Sequence, residues 1–123
     1  MRISSKYKFV YIAIPKTGSE TIRESLNLYS NIHSESDKTS PYYWHTKSKT
    51  LKNHFKKMNW NWNDYFKFTF VRNPWDMLVS LYKYFQINKT LSLPKDGGPE
   101  FKPFLLNRIN ESSPSVSCYS NYY

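Results

Sequence analysis

Residues 8–30, KFVYIAIPKTGSETIRESLNLYS, decide the fold, because they predict a strand, a tight turn and a helix in direct succession. Residues 9–14 place apolar side chains on both faces, as is typical of a central strand covered on both sides. Pro15 ends the strand, Gly18 permits a tight turn of the backbone, and Ser19 or a neighbour can cap the next helix. The apolar face of that helix repeats at i, i+4 and i+7: Ile22, Leu26 and Tyr29.

The turn between this strand and helix predicts an anion site. The first N–H groups of a helix and its positive dipole end attract an anion, and Lys16 stands beside them. The nucleotide P-loop does not fit, because it requires a glycine directly before the lysine, whereas Gly18 follows Lys16 here. A strand, turn and helix with an ordinary surface lysine is the alternative interpretation.

Length and composition narrow the classes of protein. The 123 residues predict one domain with a modest core. The net charge of +9 is scattered along the chain, which indicates either a solvated basic surface or attraction of a polyanionic ligand or acceptor. Nucleic acid is a weaker candidate, and we expect no nucleic acid partner. A single cysteine, Cys118, excludes an intrachain disulfide framework and a cysteine-based zinc site.

The sequence shows no targeting or membrane segment. No apolar stretch is long enough to span a bilayer, and residues 1–7 are too short and polar for a signal peptide. We therefore expect a cytoplasmic protein without a membrane span.

The middle of the chain predicts a loop, a helix and a second strand. Residues 31–40 are polar and without period, which indicates a loop. Residues 47–58 predict a helix with a basic outer face and one apolar face: Leu51, His54, Phe55 and Met58. Residues 65–71 predict a strand with a wholly aromatic face, Phe66, Phe68 and Phe70. Because a helical crossover separates it from the first strand, the two strands should pair in parallel.

The last part of the chain predicts two further helices. Asn73 can cap a helix in which Pro74 takes the first position and Asp76 completes the capping-box spacing. Its predicted buried face consists of Leu78, Leu81, Tyr82 and Phe85. Residues 89–99 predict a loop and residues 101–109 a helix, and no element is predicted from residue 110 onward.

Two of these segments resemble the donor-binding motifs of one enzyme family. PKTGSET and FVRNPWDMLVSLYKYF are similar to the motifs of sulfotransferases that use 3′-phosphoadenosine-5′-phosphosulfate (PAPS). The resemblance implies that the 5′-phosphosulfate is bound by Lys16, Thr17, Gly18, Ser19, Glu20 and Thr21. It also implies that Arg72 and Ser80 hold the 3′-phosphate. The guanidinium of Arg72 would bind it bidentately, and the hydroxyl of Ser80 would add a neutral hydrogen bond. A salt bridge of Arg72 and a packing role of Ser80 are the structural alternatives.

The same resemblance implies the fold. It implies an α/β fold of the three-layer, P-loop-like type, with a central parallel sheet flanked by helices. The resemblance covers residues 9–85 well and 101–109 loosely, so we expect one sulfotransferase-like domain over residues 1–123. Family members usually continue beyond a segment like SNYY, so part of the usual C-terminal fold is expected to be missing. An incompletely covered sheet edge would favour a homo-oligomer.

The resemblance also assigns catalytic roles. Lys16 is expected to stabilise the charge that develops on the leaving oxygen, so this mechanism requires no metal. His45 is expected to be the base for the acceptor hydroxyl, as histidine is in relatives, with a capping or packing role beside Trp44 as the alternative. His33 and His54 are expected to be structural. Glu20 and Glu24 are secondary candidates for the base.

Three functions follow from these observations. The first is transfer of a sulfuryl group from PAPS to a hydroxyl of a carbohydrate or similar acceptor, which leaves the product 3′,5′-adenosine diphosphate (PAP). The second is a non-catalytic module that binds PAPS, PAP or a polyanion. The third is a small P-loop nucleotide kinase or NTPase, against which the residue order around Lys16 argues.

Overall fold

The structure, a computed structural model, describes residues 1–88 and 100–110. These residues form two compact units, one built from residues 1–71 and the other from residues 72–88 and 100–110. A single domain over residues 1–123 stays a prediction. None of the described helices is both long and apolar enough to cross a membrane.

A four-stranded mixed sheet forms the centre of the first unit. The strands are β1 (Arg2–Ser4), β2 (Phe9–Tyr11), β3 (Ile32–His33) and β4 (Phe66–Phe68), in the order β3-β1-β2-β4. β2 and β4 pair in parallel with Val10 opposite Lys67, which confirms the predicted pairing of the two main strands. β1 is antiparallel to both of its neighbours, β2 and β3. The prediction of a parallel sheet is therefore correct for one strand pair only, and the three-layer arrangement stays a prediction.

A short hairpin explains the antiparallel part of the sheet. Residues 5–8 turn the chain from β1 into β2, the Ser4 hydroxyl accepts a hydrogen bond from the Tyr7 N–H at 3.1 Å, and Lys8 takes a left-handed φ of 53°. The sequence analysis assigns no element to residues 2–4 and a loop to residues 31–40. Strands of three and two residues are too short to show a period, so β1 and β3 were missed.

The core of the first unit lies between the sheet and helix α2 (Ser48–Lys57). It comprises Met1, Ile3, Val10, Ile12, Leu51, Phe55 and Tyr65. The Phe55 ring meets the rings of Trp60, Trp62 and Tyr65 edge-on, with centroids 4.9 to 5.4 Å apart. Such aromatic pairs contribute about 0.5–1.5 kcal/mol each beyond burial. Leu51 and Phe55 are buried as predicted, but Met58 follows the helix and is half exposed.

The remaining side chains of the central strand region are also buried. Tyr11, Ala13 and Ile14 have no exposed surface, which agrees with the prediction of a strand covered on both sides. Tyr11 packs against Phe68 and Phe70, with ring centroids 5.3 and 6.1 Å apart. The aromatic face of β4 is less buried than predicted, because β4 is an edge strand and Phe66 remains 71% exposed.

Helix α1 (Ser19–Ser25) is shorter than predicted, and a 3-10 turn over Asn27–Tyr29 continues it. Gly18, a neighbour of Ser19, occupies the N-cap position, and neither Ser19 nor another side chain makes the predicted capping hydrogen bond. Tyr29 is 53% exposed and does not join a buried face. The Ser25 hydroxyl donates to the Thr21 carbonyl, a bond that competes with helix continuation.

The second unit contains helices α3 (Pro74–Ile87) and α4 (Phe101–Asn110). The Asn73 side chain accepts a hydrogen bond from the Trp75 N–H at 2.9 Å, and Pro74 opens α3, which confirms the predicted start. α4 contributes the buried Phe104, whose ring lies 5.4 Å from that of Tyr82. The predicted loop at residues 89–99 and the segment after residue 110 lie outside the described residues.

Candidate functional site

The turn between β2 and α1 has a strained backbone. Lys16 adopts φ 63° and Gly18 φ 75°, both in the left-handed region. For lysine this conformation costs on the order of 1–2 kcal/mol, and such strain concentrates at functional sites. The Thr17 hydroxyl donates to the Ile14 carbonyl at 2.8 Å, which ties the turn to the end of the strand region. The predicted tight turn at Gly18 is therefore present, with Lys16 as a second left-handed residue.

The turn exposes donors suited to an anion. The first helical bond runs from the Ile22 N–H to the Gly18 carbonyl, so the N–H groups that precede Ile22 in α1 have no partner within the helix. Lys16 and Thr17 are half-buried, Ser19 is buried, and Glu20 and Thr21 are exposed. Because α1 has only seven residues, its dipole contributes less than a long helix would. The Lys16 charge and the local N–H groups carry most of the attraction.

His45 lies beside this turn. Its Nδ1 is 2.8 Å from the Ala13 carbonyl oxygen, and Ala13 stands two positions before Pro15. Because a carbonyl only accepts, Nδ1 carries the proton, and the neutral ring therefore has its lone pair on Nε2. The fold thus brings together His45 and the Lys16 turn, which are far apart in sequence.

The surroundings of His45 favour its neutral form. Burial lowers the pKa of His45, and the positive charge of Arg23 lowers it further. The hydrogen bond to Ala13 and the charge of Glu20 oppose this shift in pKa. A base must be neutral to accept a proton, so this environment suits the predicted role.

The other two histidines make contacts consistent with structural roles. His54 on α2 shares a hydrogen bond of 2.8 Å with the Tyr42 hydroxyl, and the two rings meet edge-on. His33 on β3 is exposed and lies 3.1 Å from the Ser30 carbonyl oxygen. Glu24, a secondary candidate for the base, is exposed.

The two predicted ligands of the 3′-phosphate belong to the second unit. Arg72 is exposed and directly precedes the Asn73 cap, whereas Ser80 is half-buried on α3. Arg72 makes contacts of its own and is not a bare surface charge. The Lys16 turn belongs to the first unit, so a joint role of the two segments stays a prediction.

The sequence analysis missed two polar residues near the turn. The Tyr11 hydroxyl is buried and has no hydrogen-bond partner. It is the one buried side-chain polar group of this kind within residues 1–88 and 100–110. Burial raises the pKa of Tyr11, while Arg23 and the nearby Thr17 hydroxyl lower it. The Arg23 side chain is only 12% exposed, although Arg23 lies outside the predicted apolar face of α1. Neither residue carries a sequence signal, since one resembles a core aromatic and the other a surface cation.

The described ranges contain no group of three or more His, Cys, Asp or Glu side chains that could hold a metal ion. The turn itself offers an ammonium group, backbone N–H groups and hydroxyls, and the imidazole of His45 lies beside it.

Comparison with known proteins decides the family. A sequence model described as the sulfotransferase family matches residues 1–122. The chain belongs to the sulfotransferase family. No curated protein and no solved structure matches it. The resemblance found in the sequence is confirmed, and the match includes the turn, His45 and the Arg72 segment of this sulfotransferase.

Membership identifies the general activity of the sulfotransferase. Members transfer sulfuryl groups to an acceptor substrate and generally take them from PAPS. The nucleotide kinase that the sequence left open is disfavoured, because the family model accounts for the lysine turn.

Proposed function

We propose that the chain transfers the sulfuryl group of PAPS to a hydroxyl of a carbohydrate or similar acceptor. The observation that carries this proposal is the 2.8 Å hydrogen bond between His45 and the Ala13 carbonyl. It orients the imidazole next to a strained, lysine-bearing turn and leaves Nε2 as the nitrogen that can accept a proton, which supports a base and an anion-binding element at one place in the fold.

The turn is the proposed site for the 5′-phosphosulfate. Lys16 would donate to its oxygens, and the N–H groups at the start of α1 would bind the remaining oxygens together with the Thr17 and Thr21 hydroxyls. Gly18 keeps the backbone close, Ser19 begins the helix, and Glu20 points outward. The strain at Lys16 and the unpartnered Tyr11 hydroxyl both support a turn shaped for a ligand.

The second half of the donor is assigned by family resemblance. Arg72 would bind the 3′-phosphate bidentately and Ser80 would add a hydroxyl hydrogen bond. Arg72 directly precedes the Asn73 cap of α3, and Ser80 lies within this helix. We propose that both units act together as one sulfotransferase domain over residues 1–123.

The chemistry of the transfer divides between two residues. PAPS supplies an activated sulfuryl group when bound. His45 accepts the proton of the acceptor hydroxyl at Nε2, because Nδ1 is committed to Ala13. Lys16 stabilises the negative charge that gathers on the leaving phosphate oxygen. The sulfuryl sulfur gains a bond to the acceptor oxygen and loses its bond to that phosphate oxygen.

Calorimetric titration with PAP tests the donor site. We expect micromolar binding of PAP and no binding of ATP with magnesium. Lys16→Ala and Arg72→Ala should each weaken PAP binding by about 10- to 100-fold, the loss expected for one charge-assisted hydrogen bond. Lys49→Ala removes an exposed positive charge on α2 and is the matched control, with affinity unchanged. Equal weakening by all three variants would indicate a general basic surface and refute a donor site.

A transfer assay with labelled PAPS and a panel of glycans tests catalysis. His45→Gln should bind PAP normally but lose at least about 100-fold in transfer rate, as expected for a general base. Binding of PAP by the unaltered chain without transfer to any acceptor would support the non-catalytic donor-binding module instead. Loss of PAP binding in His45→Gln would show that the histidine shapes the turn rather than acting as a base.

A further inference from the structure

Two guanidinium groups converge on one hydroxyl in the first unit. Arg2 Nη1 donates to the Ser34 Oγ at 3.0 Å, and Arg23 Nη1 approaches the same oxygen at 3.4 Å. A hydroxyl oxygen has two lone pairs, so Ser34 can accept from both arginines. Ser34 is neutral, however, and it bridges two like charges without compensating either.

Arg2 is buried, and the side chain of Arg23 is nearly so. Arg2 is 9% exposed as a residue and the Arg23 side chain 12% exposed. Buried charges are normally paired with an opposite charge, because their loss of hydration is otherwise uncompensated. Burial lowers the pKa of Arg2, and the charge of Arg23 lowers it further, as expected for a local excess of positive charge.

The described carboxylates do not neutralise this pair. Arg2 donates its other bonds to neutral groups, the Asn27 side chain at 2.9 Å and the Met1 carbonyl at 3.0 Å. Among residues 1–88 and 100–110, one carboxylate forms an ion pair with Arg23: Oε1 of Glu20 lies 4.0 Å from Arg23 Nη2, and the Glu20 side chain is 88% exposed. An exposed pair at this distance contributes little. The pair therefore has the charge, the burial and the planar donors that suit an anion.

We infer that the guanidinium groups of Arg2 and Arg23, bridged by Ser34, form a binding site for a carboxylate or sulfate group, in addition to the Lys16 turn. Arg23 offers the fork of donors that matches both of these anions. Arg23 also contacts Trp44, whose ring centroid lies 5.8 Å from the guanidinium carbon of Arg23. A ring that is partly open to solvent thus stands beside the charge, and Trp44 is 43% exposed.

The arrangement indicates the class of ligand. The Arg23 guanidinium lies over one face of the Trp44 ring, so a sugar ring that carries an acidic group would contact the remaining exposed surface of the indole. Trp44 directly precedes His45 in the chain. The anionic group would therefore belong to the acceptor, which makes the acceptor an acidic sugar. This assignment to the acceptor rests on the proposed function, whereas the anion site itself does not.

Thermal unfolding in sodium sulfate tests the anion site. Sodium chloride at the same ionic strength is the reference, because sulfate also stabilises proteins generally by exclusion from their surface. We expect saturating sulfate to raise the melting temperature of the unaltered chain by about 5 °C relative to chloride. Arg23→Gln should lose this extra shift. Lys49→Gln, which removes an exposed charge of the same sign, should retain it.

Lys16→Ala separates the anion site from the donor turn. Because the turn also attracts sulfate, we expect Lys16→Ala to lose PAP binding but to keep the Arg23-dependent sulfate shift. A sulfate shift that survives in Arg23→Gln and disappears in Lys16→Ala would place all specific binding in the turn and overturn the inference. If the unaltered chain shows the Arg23-dependent sulfate shift but does not bind PAP, the donor proposal alone is contradicted.

A measurement on the unaltered chain covers the case in which Arg23→Gln does not fold. In a nitrogen-15 spectrum of the arginine side chains, sulfate should shift the Nε–H signals of Arg2 and Arg23 with saturation. Glucuronate should shift the same signals and glucose should not, which identifies the acidic group as the recognised feature. Unchanged Arg2 and Arg23 signals at saturating sulfate would overturn the inference. Shifts with sulfate but not with glucuronate would leave the anion site standing and refute the acidic-sugar acceptor.

Discussion

Tyr11→Phe removes a single hydroxyl oxygen whose burial lowers the stability of the folded state. The Tyr11 residue has no exposed surface, and its hydroxyl has no hydrogen-bond partner among the described residues. The Thr17 hydroxyl, which donates to the Ile14 carbonyl, is close enough to lower the pKa of Tyr11, but the two hydroxyls do not meet the geometry of a hydrogen bond. The ring contacts of Tyr11 with Phe68 and Phe70 do not depend on the hydroxyl.

The size of the effect follows from the burial of this hydroxyl. A buried hydroxyl without a partner costs about 1–3 kcal/mol relative to water. We take the lower end, because the Thr17 hydroxyl nearby offsets part of the cost. Tyr11→Phe should therefore raise the free energy of unfolding by about 1 kcal/mol. For a chain of 123 residues, such a gain corresponds to a melting temperature higher by about 4 °C.

Tyr42→Phe is the matched control for this measurement. The Tyr42 hydroxyl shares a hydrogen bond of 2.8 Å with His54, so the same deletion there should lower the free energy of unfolding by about 1 kcal/mol. Urea unfolding of both variants and of the unaltered chain gives the two values under one protocol. The opposite signs distinguish an unpartnered hydroxyl from a paired one.

A loss of about 1 kcal/mol or more in Tyr11→Phe would refute the reasoning, because it would show that the hydroxyl has a partner in the folded protein. The variant also carries information on function. If the hydroxyl is kept for the donor turn, Tyr11→Phe should weaken PAP binding several-fold while stability rises. A gain in stability with unchanged PAP affinity would remove Tyr11 from the proposed donor site.

Three further perturbations test separate features. Gly18→Ala should lower the free energy of unfolding by about 1 kcal/mol in urea titrations, because φ is 75° at this position. The loss comes from the backbone alone, since a Cβ there meets no atom within 4 Å. Asparagine tolerates this φ better, so Gly18→Asn should lower the free energy of unfolding by less. Burial holds the folded-state pKa of His45 below its ordinary 6.5, so the unfolded chain binds more protons and stability should fall as pH drops through 6.5. The buried Met1 amino group, whose pKa is lowered from 8.0 to about 4, adds a dependence of the same sign, so His45→Gln should reduce the slope without abolishing it in urea titrations at several pH values. Phe55→Ala should cost about 3–5 kcal/mol in the same assay, because the ring is fully buried against three aromatic rings; a cost below about 1 kcal/mol would contradict this packing.

Local patterns in the sequence predicted the parts of the fold that local chemistry determines. The apolar run before Pro15, the left-handed Gly18 and the Asn73 cap each act within a few residues, and the structure contains all three. The parallel pairing of β2 and β4 followed from the handedness of crossovers.

The misses depend on contacts between distant residues. β1 and β3 are strands only because they pair with each other and with β2, since neither is long enough to show a pattern. The place of His45 was predicted from resemblance, but its partner Ala13 lies 32 positions away and has no sequence signal. Burial of Arg23 likewise depends on Ser34 and Trp44, which come from the segments that follow its own helix.

Strand β2 lies between β1, its hairpin partner, and β4, a parallel partner distant in sequence, and this position affects the order of folding. The hairpin of β1 and β2 closes over residues 5–8, a local event on the microsecond scale. Pairing with β4 must join segments such as Ile12 and Thr69, which are hydrogen-bonded across 57 positions, so a much larger loop has to close. The strand that leads into the Lys16 turn should therefore acquire one neighbour early and the other late. Kinetic φ-values should accordingly be high for Ile3 and low for Phe68, and the reverse order would contradict this sequence of events.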